Sequence, residues 1–271
     1  MNYDRLKKTA ANIRQRVIEL SHSAGTPHLG SSLSCIDILT ILYGEVLKID
    51  PKRPTDPLRD RFILSKGHAA LALYVTLAEH GFFPKDVLSG YNTDGGRLAE
   101  HPGPGCVPGV EAATGSLGHG LPIGLGMAMA ARIKQQPYGV FVLMSDGECN
   151  EGSVWEAAMM APAQKLDHVT VIIDYNKWQA TARSNETLNL APLAAKWESF
   201  GWQTYEVNGH DFRELARALE HVPNGSGKPL AIIAHTIKGR GVSFMEDDNN
   251  WHYRIPTAEE VQRAALELQS A

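Results

Sequence analysis

The chain has 271 residues, with 26 basic and 30 acidic side chains and a formal net charge of −4. So even a balance offers no basic face to nucleic acid or anionic membrane, and the longest apolar run, 121–131, is too short to span a bilayer. Cys35, Cys106 and Cys149 are odd in number and far apart, which fits neither a disulfide framework nor a zinc site; without a signal-peptide core at the N-terminus, a soluble, cytoplasmic protein is expected.

Leu6, Ala10, Ile13, Val17 and Leu20 recur at helical spacing and predict an amphipathic helix over 3–21. A turn punctuated by glycine and proline, AGTPHLGSS, follows. Ser34 and Asp37 then resemble a capping box ahead of the apolar face Ile38, Leu42 and Val46. Strand-like runs recur at Arg61–Leu64, Val140–Met144, Val169–Asp174, Gln203–Val207 and Leu230–Ala234. Helical stretches lie at about 69–81, 119–133, 152–164, 190–199, 211–221 and 257–268. Between Tyr91 and Gly120, glycine and proline interrupt every pattern; a loop of this length inside a domain is usually functional or disordered. The alternation predicts an α/β fold: a doubly wound, mostly parallel sheet with helices on both faces, as one domain over 1–271.

The densest chemistry is SDGECNEGSVWEA, from Ser145 to Ala157, directly after the apolar run Val140–Met144. If the strands at 140 and 169 are parallel neighbours, the residues just past their carboxyl ends, Asp146 and Asn176, face each other across one crevice. An acid and an amide, both oxygen donors, suit a hard cation such as Mg²⁺, which completes its shell with water and substrate phosphates. Gly147 lets backbone approach closely, and the helix start near Glu151–Gly152 offers N–H groups to an anion. A metal-bridged diphosphate is one reading; a plain helix cap made by Asp146 and Glu148 is the other. Cys149 is a poor nucleophile, because the acids around it raise its pKa.

Six segments carry a resemblance, in order along nearly the whole chain: HLGSSLS at 28–34, SKGHAALALY at 65–74, EHPG at 100–103, GSLGHGL at 115–121, SDGECNEGSVWEA…DYNKWQ, and HTIKGRGVSF…WH at 235–252. Together they resemble the transketolase family of thiamine-diphosphate enzymes, and the fold implied is that family's diphosphate-binding domain. The resemblance implies Mg²⁺, with Ca²⁺ or Mn²⁺ as substitutes, on Asp146, Asn176 and the carbonyl of Trp178. It places Gly147, Asn176, His68 and His252 at the cofactor diphosphate, with His68 and His252 also reaching the substrate, and Gly115 and Leu117 at the aminopyrimidine and thiazolium. His28 and His101 line the reacting end, where imidazoles suit proton transfer near neutral pH. Glu151 and Glu156 match glutamates at the contact between two active sites, and the resemblance places Glu151 in the catalytic set with His28, His68, His101 and His252. Two positions depart from the family pattern: Ser145 stands for the usual Gly, and His119 for the usual Gln.

The implied reaction transfers a two-carbon ketol unit from a ketose phosphate to an aldose. The pyrimidine-binding and C-terminal domains, with the glutamate that activates the cofactor, are expected on a partner chain. That partner is a C-terminal transketolase subunit, in a heterotetramer with two copies of each. The same acid–amide signature occurs in 2-oxo acid decarboxylases and dehydrogenases, which lack the histidines at 28, 68, 101 and 252. A non-catalytic scaffold is a further alternative. A nicotinamide-binding domain fits poorly, because the glycines at 115–124 do not follow a strand.

Overall fold

The computed structural model describes residues 1–220 and 227–269. Its helices are α1 (Tyr3–Ala24), α2 (Leu29–Ser34), α3 (Ile36–Ile41), α4 (Ala70–Glu79), α5 (Gly120–Ile133), α6 (Gly152–Ala163), α7 (Ser184–Thr187), α8 (Leu193–Ser199), α9 (Phe212–Leu219) and α10 (Ala258–Gln269). The strands are β1 (Arg61–Leu64), β2 (Val140–Ser145), β3 (Val169–Tyr175), β4 (Gln203–Asn208) and β5 (Leu230–His235). All pair in parallel, in the order β1-β2-β3-β5-β4.

Side chains alternate across the sheet and feed two cores. Val142, Met144, Val171, Ile173 and Ile233 pack with Leu125 of α5, Ala158 of α6 and Trp197 of α8. Phe141, Leu143, Ile172 and Ile232 pack with Ile13 of α1, Leu39 of α3, Leu73 of α4 and Leu215 of α9. Both faces are covered over the central strands, which is why β2, β3 and β5 read as largely apolar runs; the edge strand β4, QTYEVN, is only partly buried. The expected doubly wound α/β architecture is what forms.

Several local expectations change. Helix α1 runs past residue 21 to Ala24, because Gly25 supplies the left-handed stop at φ 61°. Half of the expected turn AGTPHLGSS is helix: Leu29–Ser34 forms α2, with every residue buried. Ser34 and Asp37 form no capping box. The Ser34 hydroxyl donates to Asp174 at 2.6 Å, and Asp37 accepts two hydrogen bonds from Arg14 instead. Helix α8 starts at Leu193 rather than 190, with Pro192 just ahead of it. Helix α9 ends at Leu219; residue 221 of the expected helix lies outside the described residues. Residues 91–119 are irregular apart from a Tyr91–Leu98 bridge. Among the described residues no helix is long and apolar enough to cross a membrane, and all three cysteines are free thiols.

Candidate active site

Parallel pairing brings the ends of the central strands together. Ser145 of β2 is in register with Asp174 of β3, so Asp146 and Asn176 leave the sheet side by side, as expected from sequence. Asp146 is fully buried. One carboxylate oxygen accepts from Gly147 N at 2.9 Å, which caps the turn Gly147–Asn150. The other reaches across to Lys177 N at 2.9 Å and Ser184 Oγ at 2.8 Å. The cap reading is thus half right, and the same side chain also ties the β2 loop to the β3 loop. Its donors are all neutral, and burial pushes the Asp146 carboxyl up to about 7.

Glu148 caps nothing. It is buried and accepts from Ser145 N at 2.9 Å, from Gly118 N at 3.0 Å and from Ser65 Oγ. Ser65 Oγ in turn accepts from Gly120 N at 3.1 Å. This carboxylate therefore anchors the 114–120 loop against the ends of β1 and β2. Burial and the neighbouring acids push the Cys149 thiol far up, so it is an inert buried group.

A hard-cation site fits these residues. Asn176 holds its amide oxygen at the crevice by accepting from Trp178 N at 3.0 Å, and the Trp178 carbonyl accepts no hydrogen bond among the described residues. One carboxylate, one amide oxygen and one open carbonyl make an all-oxygen donor set, the kind Mg²⁺ takes together with phosphate and water. No group of three or more His, Cys, Asp or Glu side chains forms a metal cluster among the described residues, as expected for a set with a single acid. Gly147 is less constrained than expected: a Cβ there would meet Gln179 Cγ at an ordinary 3.5 Å.

The histidines converge beside this point. Ring centroids of His28 lie 5.5 Å from His68, 6.0 Å from His101 and 4.9 Å from His252. His28 sits in the left-handed region at φ 67°, a conformation uncommon outside glycine that recurs at functional sites. Its N–H donates to the His252 carbonyl at 2.7 Å, and its Nδ1 lies 2.9 Å from Glu100. Gly115 belongs here too: at φ 144°, a Cβ would fall 2.7 Å from the His101 ring. Leu117 is half-buried in the same loop. Glu151 is exposed at the start of α6 against Gly118, with no hydrogen bond or ion pair to the histidines; Glu156 is also exposed. His119, just before α5, is exposed as well.

Two buried lysines, unassigned from sequence, set the electrostatics. Lys66 is ion-paired with Asp174, and that carboxylate holds its ammonium charged against the cost of burial. Asp174 is further fixed by Ser34 and Thr236. Lys238 has no carboxylate partner among the described residues. It donates to Asn249 Oδ1 at 2.7 Å, His252 Nδ1 at 2.9 Å and the Gln179 carbonyl at 3.3 Å. Burial, then repulsion from Lys66, lowers its ammonium to about 7. Because Lys238 donates to Nδ1, His252 carries its proton on Nε2. Burial and Lys238 hold His252 down to about 3, and burial also lowers His28 and, more strongly, His68. Neutral imidazoles thus surround a cationic floor, with Lys238 joining them to the Asn176–Gln179 loop. Both lysines lie inside matched motifs, SKGH and HTIKGRG; a buried cation with no anion was the signal that sequence alone could not carry.

The family model for the thiamine diphosphate binding domain of transketolase matches residues 6–268. The chain belongs to the transketolase family. It is 40% identical over 268 residues to an apulose-4-phosphate transketolase subunit of Phocaeicola vulgatus, covering 99% of this chain and 95% of that protein. A 6-deoxy-6-sulfo-D-fructose transketolase subunit of Clostridium sp. is 39% identical, over 97% of this chain and 96% of that protein. The solved transketolase of Campylobacter jejuni superposes with a TM-score of 0.93 at 30% identity, over 99% of this chain and 43% of that longer one. This transketolase chain is therefore an enzyme subunit with the thiamine-diphosphate-binding domain. The decarboxylase and scaffold alternatives are not favoured, and relatives of matching length that are themselves named as subunits imply a partner.

Proposed function

We propose that this chain supplies the diphosphate-binding half of a split transketolase and that a C-terminal, pyrimidine-binding subunit completes it, two copies of each forming a heterotetramer. In this reading the chain is one domain, and the remaining domains come from the partner. Asp146, Asn176 and the Trp178 carbonyl hold Mg²⁺, with Gly147 and Lys238 at the cofactor's diphosphate. When bound, thiamine diphosphate supplies the carbon nucleophile and the electron sink for ketol transfer.

The chain's own residues bind, orient and move protons around it. His68 and His252, kept neutral by burial and by the lysines, reach diphosphate and sugar oxygens. His28, whose Nδ1 lies 2.9 Å from Glu100, and His101 hydrogen-bond the sugar hydroxyls at the reacting end and exchange protons with them. Gly115 and Leu117 form the wall against the aminopyrimidine and thiazolium. Glu151 belongs to the contact between two active sites, consistent with its exposure. The substrates are a ketose donor and an aldose acceptor; relatives named for apulose-4-phosphate and 6-deoxy-6-sulfo-D-fructose favour a modified-sugar route over general pentose metabolism.

The observation that carries this reading is the convergence of Asp146, Asn176 and Lys238, three polar groups with no ligand among themselves, within one histidine-lined crevice. The test is turnover of a ketose donor by this chain with Mg²⁺ and thiamine diphosphate, with and without the partner subunit, for wild type and Asp146→Ala. Turnover is expected only with the partner and only with Asp146. Robust turnover by this chain alone, or full turnover by the variant, would refute the reading.

A further inference from the structure

Outside the crevice, two segments remote in sequence are fastened to one another. Arg183 makes two hydrogen bonds to Asp247, at 2.6 and 2.7 Å, and its guanidinium lies 3.7 Å from the Trp178 ring centroid. The Trp178 indole N–H donates to the same Asp247 at 2.8 Å. Asp247 is in the left-handed conformation at φ 59°, and its own N–H donates to the Lys238 carbonyl at 2.8 Å. One aspartate therefore grips both Trp178 and the peptide of Lys238.

As a surface ion pair, this arrangement would contribute little: the Arg183 and Asp247 side chains are 34% and 53% exposed, and such pairs are worth about 0–1 kcal/mol. Its placement suits another task. Residues 177–184 form a narrow hairpin, closed by Gln179 N to the Ala182 carbonyl at 2.9 Å and Ser184 N to the Lys177 carbonyl at 3.0 Å. Trp178 sits in it with its N–H committed to Asn176 and its carbonyl open. A single carbonyl on a short hairpin meets the strict octahedral distances of Mg²⁺ only if the hairpin cannot rock. Asp146 pins the two ends of the hairpin through Lys177 N and Ser184 Oγ. Its middle is tied by Asp247, by Asn249 Nδ2 to the Ala180 carbonyl at 3.1 Å, and by Lys238 to Gln179.

We infer that Asp247 is a positioning residue for the metal: with Arg183 it clasps the Trp178 indole and so sets the Trp178 carbonyl at cation distance. This rests on the metal reading proposed above and goes beyond it by naming what holds the backbone ligand in place. Positioning predicts a dependence on the choice of metal that a plain stability role does not, because Ca²⁺ tolerates loose, variable coordination where Mg²⁺ does not.

The experiment uses the full chain and inorganic diphosphate as the probe, by calorimetry with Mg²⁺ or with Ca²⁺, for wild type, Asp247→Ala and Trp178→Phe. Asp247→Ala is expected to weaken Mg²⁺-supported binding by about tenfold or more, and Ca²⁺-supported binding by less than about threefold. The melting temperature without ligand should move by no more than about 4 °C. Trp178→Phe, which keeps the carbonyl and loses the indole donor, should show the same metal bias more weakly. Equal losses with both metals, no loss, or a collapse in melting temperature would overturn the clasp. Metal-independent binding by the wild type would instead overturn the metal site itself.

Discussion

Among the described residues, the buried charges around Asp37 and those around Asp146 and Lys238 differ in how completely they are matched. Between α1, α3 and the loop after β4, Arg14 donates to Asp37 at 3.0 and 2.6 Å, and His210 Nδ1 donates to the same carboxylate at 2.7 Å. His210 Nε2 accepts from Ile237 N at 2.9 Å, and Arg14 Nε donates to the Arg240 carbonyl at 3.0 Å. Cation meets anion there, and the imidazole and the guanidinium Nε find partners. At the crevice, Asp146 and Lys238 are hydrogen-bonded only to neutral groups, and both are pushed to about 7 by burial. A buried charge with its counter-charge holds elements together, whereas one without it is held ready for a ligand of opposite sign.

The sharpest way to break that distinction is Asp37→Ala. It strands Arg14 without a counter-ion and is expected to cost about 3–5 kcal/mol in a urea titration. A cost below about 1 kcal/mol would mean the matched cluster is dispensable. A smaller effect concerns acid. Burial works against the Asp37 carboxylate, but Arg14 and His210 override it and hold the group at about 2, below its ordinary 3.8. Its pKa is depressed in the fold, so its contribution is present above the unfolded value and is lost as pH falls from about 4 to 2. That loss amounts to about 2 kcal/mol. Unfolding of wild type and Asp37→Asn across this window should show the extra acid sensitivity in wild type alone; parallel curves would contradict it. Smallest of all is Lys238→Met, expected to leave unfolding stability unchanged or raise it by about 1 kcal/mol, because an unmatched buried cation is removed, while diphosphate binding weakens. Destabilisation by more than that would place Lys238 with the matched cluster.

The sheet was legible in the sequence because its central strands are buried on both sides and largely apolar, and each observed strand lies within one residue of its expected bounds. Helix α2 was not, since LGSSLS is built of small residues that signal a turn. They are small because the segment is wedged under the β5 loop, where a Cβ on Gly30 would stand 3.1 Å from Lys238 and 3.4 Å from Trp251. Asp146, Asn176 and the four histidines were legible as positions in ordered motifs. The cationic floor was not, because nothing in the order of residues distinguishes a buried lysine from the many exposed ones. The Trp178–Arg183–Asp247 clasp joins segments more than sixty positions apart and exists only after folding.

The strand order has a consequence for how the molecule is made. The crevice is assembled from His28 just before α2 and from segments that follow β1, β2, β3 and β5, and β5 lies between β3 and β4, the strand that precedes it in the chain. During synthesis, therefore, a nascent chain can hold most of its helices and still lack a usable pocket until His252 has left the ribosome. Ligand capture comes after β5 has paired with β3.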